Sequence, residues 1–173
     1  MVDFNIKKVL PTDVDVLMQI ARRTFSDTYA TLNSKENMNV YLDSRFSREQ
    51  LSSELMNLDT EYYFAFIDER VIGYLKLNTG PSQTELKNEN SLEIERIYVL
   101  KGYQGNKIGQ KFCELAVLVA RRKNIDFVWL GVWEKNLKAI RFYQKMGFFI
   151  FDKHIFRLGD ENQVDIMMKC NLE

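Results

Sequence analysis

The sequence predicts a single α/β domain, with a mixed sheet carrying helices on both faces. Three observations lead there. Segments of strand length alternate with amphipathic helical segments along the chain. A tight hairpin pattern occupies residues 62 to 77. Phe127–Trp133 is a continuous apolar run, as in a strand covered on both sides.

In order, Phe4-Asn5-Ile6-Lys7-Lys8-Val9 reads as a first strand that stops before Pro11. Thr12 offers a hydroxyl cap to a helix whose Val14, Leu17, Met18, Ala21 and Phe25 fall at helical spacing. One or two further helices span Ser34 to Leu58, where Ser47 and Gln50 are spaced as a capping box. Tyr62–Ile67 and Val71–Leu77 form a hairpin around Asp68-Glu69-Arg70. A polar loop from Asn78 to Asn90 leads to a strand over Leu92–Leu100 and a helix from about Gly105 to Lys123. After the strand Phe127–Trp133, Asn136 caps a helix that Gly147 ends. Strands over about Phe148–Leu158 and Gln163–Lys169 flank the turn Gly159-Asp160-Glu161-Asn162. The order is β-α-α-β-β-β-α-β-α-β-β.

Composition narrows the function. The 173 residues are 46% apolar and 28% charged, a globular balance. The 24 basic and 24 acidic residues cancel, which argues against a nucleic-acid partner. No apolar run approaches membrane-spanning length, and Met1-Val2-Asp3-Phe4-Asn5 lacks the order of a signal peptide. Cys113 and Cys170 are far apart in sequence and read as free thiols, so the expected location is cytoplasmic. His154 is the sole histidine, which excludes histidine-rich metal clusters and histidine triads; no metal is expected.

The most informative local segment is Tyr103-Gln104-Gly105-Asn106-Lys107-Ile108-Gly109, between a strand and an amphipathic helix. Free N–H groups and the positive dipole end at a helix start make an anion site, and Lys101, Lys107 and Lys111 add charge. Its spacing matches neither a triphosphate loop nor a dinucleotide fingerprint. By itself such a loop is also an ordinary strand-to-helix turn.

The segment Ile97 to Gly109 resembles the GNAT superfamily of N-acetyltransferases, whose signature is a strand followed by [Q/R]-x-x-G-x-[G/A]. Gln104 and Gly109 fit, and Lys107 stands where the first signature glycine would be. The run Asn136-Leu137-Lys138-Ala139-Ile140-Arg141-Phe142-Tyr143-Gln144-Lys145-Met146-Gly147-Phe148 is similar to that superfamily's N-x-x-A-x-x-[FL]-Y-x-x-x-G-F. Leu130 to Asn136 and Phe156 to Asp165 most resemble the PaiA group of polyamine N-acetyltransferases.

This resemblance implies a mostly antiparallel, splayed sheet of about seven strands and direct acetyl transfer from acetyl-CoA to an amine. It implies cofactor contacts at Ile97, Tyr98, Val99, Gln104, Gly105, Asn106, Lys107, Ile108, Gly109, Gln110, Asn136, Lys138, Tyr143 and Lys145. Tyr143 is the implied general acid toward the leaving thiolate; as a sequence feature alone it is one more aromatic on an apolar stripe. Glu93 and Glu95, two apart on a strand and so on one face, are the candidate bases, with Glu95 preferred. Their plainer reading is a pair of solvated carboxylates. The expected acceptor is a small polyamine such as spermidine or spermine; a protein amine, an amino-sugar, or a non-catalytic acetyl-CoA-binding module are the alternatives. A homodimer is possible within the family.

Overall fold

The computed structural model describes residues 3–87, 89–158 and 161–172. Met1, Val2, Asn88 of the polar loop, and Gly159 and Asp160 of the expected turn therefore lie outside the described residues. Among the described residues, seven strands form one sheet in the order β1-β2-β3-β4-β5-β7-β6. The chain divides into two compact units, residues 1–76 with 96–109, and 77–95 with 110–173.

The first unit holds β1 (Asn5–Lys8), α1 (Val14–Tyr29), α2 (Lys35–Arg45), α3 (Arg48–Met56) and β2 (Thr60–Ile67). It also holds the start of β3 (Arg70–Thr79) and the end of β4 (Ser91–Val99). β1 pairs antiparallel with β2, from Asn5↔Phe66 to Lys8↔Tyr63. The segment from 34 to 58 forms two helices, so three helices stand between β1 and β2.

Three local expectations are corrected here. Thr12 caps no helix: the chain makes a 3-10 turn over Pro11–Asp13, and the Asp13 carboxylate accepts the Leu10 N–H at 2.9 Å. Ser47 accepts the Gln50 N–H at 3.1 Å, but the Gln50 side chain turns forward to donate to Glu54 at 2.9 Å, leaving half a capping box. On α1, Met18 is only half-buried, whereas Ile20 and Thr24 join the buried stripe; the Thr24 hydroxyl satisfies itself on the Ile20 carbonyl at 2.8 Å.

Helix and strand meet in an aromatic cluster. Phe25 stacks on Tyr41 at 4.4 Å and meets Phe46 and Tyr98 edge-on at 5.6 and 6.5 Å. Beside it lies a buried ionic network. Glu54 pairs with Lys76 at 3.0 Å, approaches Arg96 at 4.0 Å and accepts the Tyr62 hydroxyl, while Arg96 lies 4.6 Å over the Phe46 ring.

The second unit contains the rest of β3 and β4, most of α4 (Ile108–Arg122), β5 (Phe127–Trp133), α5 (Leu137–Lys145), β6 (Phe149–Leu158) and β7 (Glu161–Asn171). β4 pairs in parallel with β5 from Ser91↔Phe127 to Glu93↔Trp129. β7 lies antiparallel to both β5 and β6, making the sheet mixed; the β6–β7 register shifts between Ile150 and Asp152.

Trp129 is fully buried, and its indole N–H reaches the Gln83 amide oxygen at 2.6 Å; the Ser91 hydroxyl donates to the same oxygen at 2.8 Å. Cys113 is buried and Cys170 half-buried, both free; burial pushes the Cys113 thiol up to about 12. Among the described residues, no helix is long and apolar enough to cross a membrane.

Candidate active site

Strand β4 supplies the first part of the site. Ile97, Tyr98 and Val99 are all half-buried, without the strict alternation of a covered strand. Gly73 of β3 is set by packing, since a Cβ there would lie 2.7 Å from the Tyr98 carbonyl oxygen. The Gln104 side chain donates to the Val99 carbonyl at 3.2 Å, tying the loop back to the strand it leaves.

The loop itself is longer than its sequence pattern predicts, because α4 begins at Ile108 rather than near Gly105. Gly105 (φ 85°) and Lys107 (φ 64°) both adopt the left-handed conformation, on either side of Asn106. A Cβ at Gly105 would meet nothing within 4 Å, so its backbone angle and not space calls for glycine there.

Left-handed residues next to a helix start turn successive N–H groups toward one side, the geometry of an anion-binding nest. Ile108, the first residue of α4, is buried in the core. Asn106 donates to the Tyr103 carbonyl at 3.1 Å, which braces the turn. Lys107 is exposed, while Gln110 and Lys111 bond Glu114 at 2.9 and 2.7 Å.

In the second unit, Asn136 accepts the Ala139 N–H at 3.1 Å and so caps α5. The helix ends as the sequence predicts. Gly147 takes φ 88°, and the Phe148 N–H reaches back to the Tyr143 carbonyl at 3.0 Å. Between these caps, half-buried Tyr143 is held edge-on by Phe142 at 5.1 Å and Phe148 at 5.8 Å. Lys138 and Lys145 are exposed on the same helix.

The two carboxylates of β4 are not a solvated pair. Glu93 is 3% exposed; its oxygens accept the Thr84 hydroxyl at 2.5 Å, the Thr84 N–H at 2.8 Å and the Asn78 amide at 3.2 Å. Asn78 also donates to half-buried Glu95 at 2.6 Å, so both carboxylates share a face as the spacing requires. Burial pushes Glu93 up from 4.5 to about 7, with the Glu95 charge adding to the rise and the Thr84 and Asn78 hydrogen bonds opposing it.

Asn78, Thr84 and Gly73 are absent from the sequence-based site. Asn78 reads as the start of a loop because asparagine is rare in strands, yet it lies inside β3 and is 1% exposed. The available signal was Gly73, a glycine within a strand pattern, which marks close backbone approach. His154 has a packing role: it lies 4.0 Å from Asp165, and a Cβ at Gly131 would come within 3.2 Å of its ring.

The first unit thus holds a strand leading into a loop with two left-handed residues before a helix, and the second a capped helix that carries Tyr143. The chain belongs to the acetyltransferase (GNAT) family, whose model matches residues 16–148. It is an N-acetyltransferase by that membership, and the family supports acetyl-CoA as its co-substrate.

Among its relatives, the uncharacterized N-acetyltransferase of the pepI 3′ region in Lactobacillus delbrueckii subsp. lactis is 37% identical, covering 98% of each chain. The spermidine N(1)-acetyltransferase of Thermoplasma acidophilum is 29% identical over 86% of this chain and 89% of that protein. The crystal structure of the PaiA N-acetyltransferase from the same organism, in complex with coenzyme A, superposes with a TM-score of 0.81 at 27% identity, covering 98% of this chain and 99% of that one.

Proposed function

We propose that this enzyme moves the acetyl group of acetyl-CoA directly to a primary amine of a small polyamine such as spermidine or spermine. The observation that carries this reading is the similarity, along nearly the whole chain, to a spermidine acetyltransferase of the PaiA type. The carboxylates Glu93 and Glu95 agree with it, because an aliphatic polyamine arrives as a cation.

Acetyl-CoA supplies an activated acyl group whose sulfur is the leaving atom. Main-chain N–H groups of the loop Gln104–Gly109 and of Gln110 hold the pyrophosphate. Main-chain groups of Ile97, Tyr98 and Val99 align the pantetheine arm and polarise the thioester carbonyl. Asn136 orients the arm near Tyr143, and Lys138 and Lys145 add charge toward the phosphates.

Glu95 takes one proton from the substrate ammonium, which leaves a neutral amine able to attack. As the new C–N bond forms, the C–S bond breaks and the Tyr143 hydroxyl gives its proton to the departing sulfur. The second proton lost by nitrogen restores Tyr143. One proton, held by Glu95, is finally released to solvent.

Purified protein with acetyl-CoA and a panel of amines tests the reading. Spermidine and spermine are expected to give thiol release well above amino-sugars and peptide amines. Turnover restricted to peptide amines or amino-sugars would overturn the polyamine assignment.

A further inference from the structure

The arrangement around Asn78 has a consequence for how the proton leaves the substrate. One side-chain amide nitrogen lies 2.6 Å from a Glu95 oxygen and 3.2 Å from a Glu93 oxygen. Neither distance is accidental to a floppy surface, since Asn78 and Glu93 are 1% and 3% exposed. Thr84, on the loop after β3, donates its N–H to the same Glu93 oxygen that Asn78 reaches and its hydroxyl to the other oxygen. Glu93 is thus enclosed by donors, while half-buried Glu95 is the more open member.

Two carboxylates bridged by one donor repel each other when both are ionised, so they bind protons as a unit rather than singly. The charge acting on Glu93 is that of Glu95; β3 contributes the neutral Asn78, the loop the neutral Thr84, and β5 the neutral Trp129 in register with Glu93.

We propose that Asn78 is a positioning residue that ties Glu93 and Glu95 into one proton-holding pair, with Glu93 the enclosed partner and Glu95 the member that meets the acceptor ammonium. Mutual repulsion makes the pair, taken together, hold its first proton more tightly than a lone surface carboxylate would. The Asn78 amide opposes this by favouring the charged forms, and so sets where the pair titrates. The rise of Glu93 toward neutral pH agrees with such coupling. This inference rests on Glu95 as proton acceptor, so the test separates the two.

Glutamate carboxyl carbons labelled with carbon-13 are titrated by NMR in the wild type and in Glu93→Gln, Glu95→Gln and Asn78→Ser, the first two also assigning the resonances. Both carboxyls are expected to move through the same two transitions. Asn78→Ser shifts those transitions upward by roughly half to one pH unit, and Glu93→Gln leaves Glu95 a single transition at lower pH. In parallel, the acid limb of kcat/KM for spermidine shifts up in Asn78→Ser and down in Glu93→Gln, with CoA affinity unchanged.

Independent titration, with the Glu95 curve identical in wild type and Glu93→Gln, would overturn the pair. Coupled titration with an acid limb that survives unaltered in Glu95→Gln would instead overturn Glu95 as the proton acceptor. Should Asn78→Ser fail to fold, the Glu93→Gln comparison decides the matter alone.

Discussion

Lys107 holds a conformation, φ 64°, that costs a side-chain-bearing residue about 1–2 kcal/mol relative to the right-handed alternative. Family resemblance marks that position as a glycine, and the backbone retains the angle glycine would supply. Lys107→Gly is therefore expected to raise stability in urea denaturation by about 1 kcal/mol, after allowing for the greater freedom of glycine in the unfolded chain. Gly105→Ala is expected to lower it by a similar amount.

Glu93 makes a pH prediction. Its folded value of about 7 lies above the ordinary 4.5, so the native state binds more protons than the unfolded chain between those values. Its contribution is fullest below pH 4.5 and is lost as pH rises through about 7, so stability falls across that window. Glu93→Gln should flatten this part of a stability–pH curve. Tyr143→Phe should lower kcat by about 10²-fold or more while leaving the Kd for CoA within twofold, if Tyr143 donates to the leaving sulfur. The Asn136 cap was legible because residue type and spacing name it; the Asn78 and Thr84 contacts to Glu93 were not, since they arise between segments that no local pattern encodes.

At the scale of elements, the chain from Phe127 to Gly147 follows its sequence closely. A continuous apolar run gives β5, an asparagine cap opens α5, and a left-handed glycine closes it. Here local chemistry and tertiary demand agree, which is why the spacing sufficed. Where they diverge, tertiary contacts decide. Gln50 donates to Glu54, four residues on, instead of completing the capping box, and so joins the cluster in which Glu54 faces Lys76 and Arg96.

That network also sets an expectation. Glu54→Gln removes the anion between two nearly buried cations and should cost about 3–5 kcal/mol in denaturant unfolding, far above a surface ion pair. β3 teaches the same lesson: it runs on through Asn78 to Thr79, because the buried amide is satisfied by carboxylates on its neighbour.

For the whole molecule, the balance of 24 acidic and 24 basic residues leaves no net charge to concentrate an anionic ligand. The proposed site therefore relies for CoA affinity on local geometry, chiefly that of the loop Gln104–Gly109. Binding to the native state alone stabilises it by about 2.7 kcal/mol at a hundredfold excess over Kd, so CoA should raise Tm measurably. The strands were readable from periodicity, but the split of residues 34 to 58 into two helices was not; nor was the sheet order, with β7 inserted between β5 and β6, because period-2 alternation carries no information about which strands pair.

The most direct test is a crystal structure of the CoA complex. The pyrophosphate is expected within hydrogen-bond distance of main-chain N–H groups between Gly105 and Gln110, with the thiol beside the Tyr143 hydroxyl. A complex with the pyrophosphate elsewhere, or with the sulfur remote from Tyr143, would contradict the account.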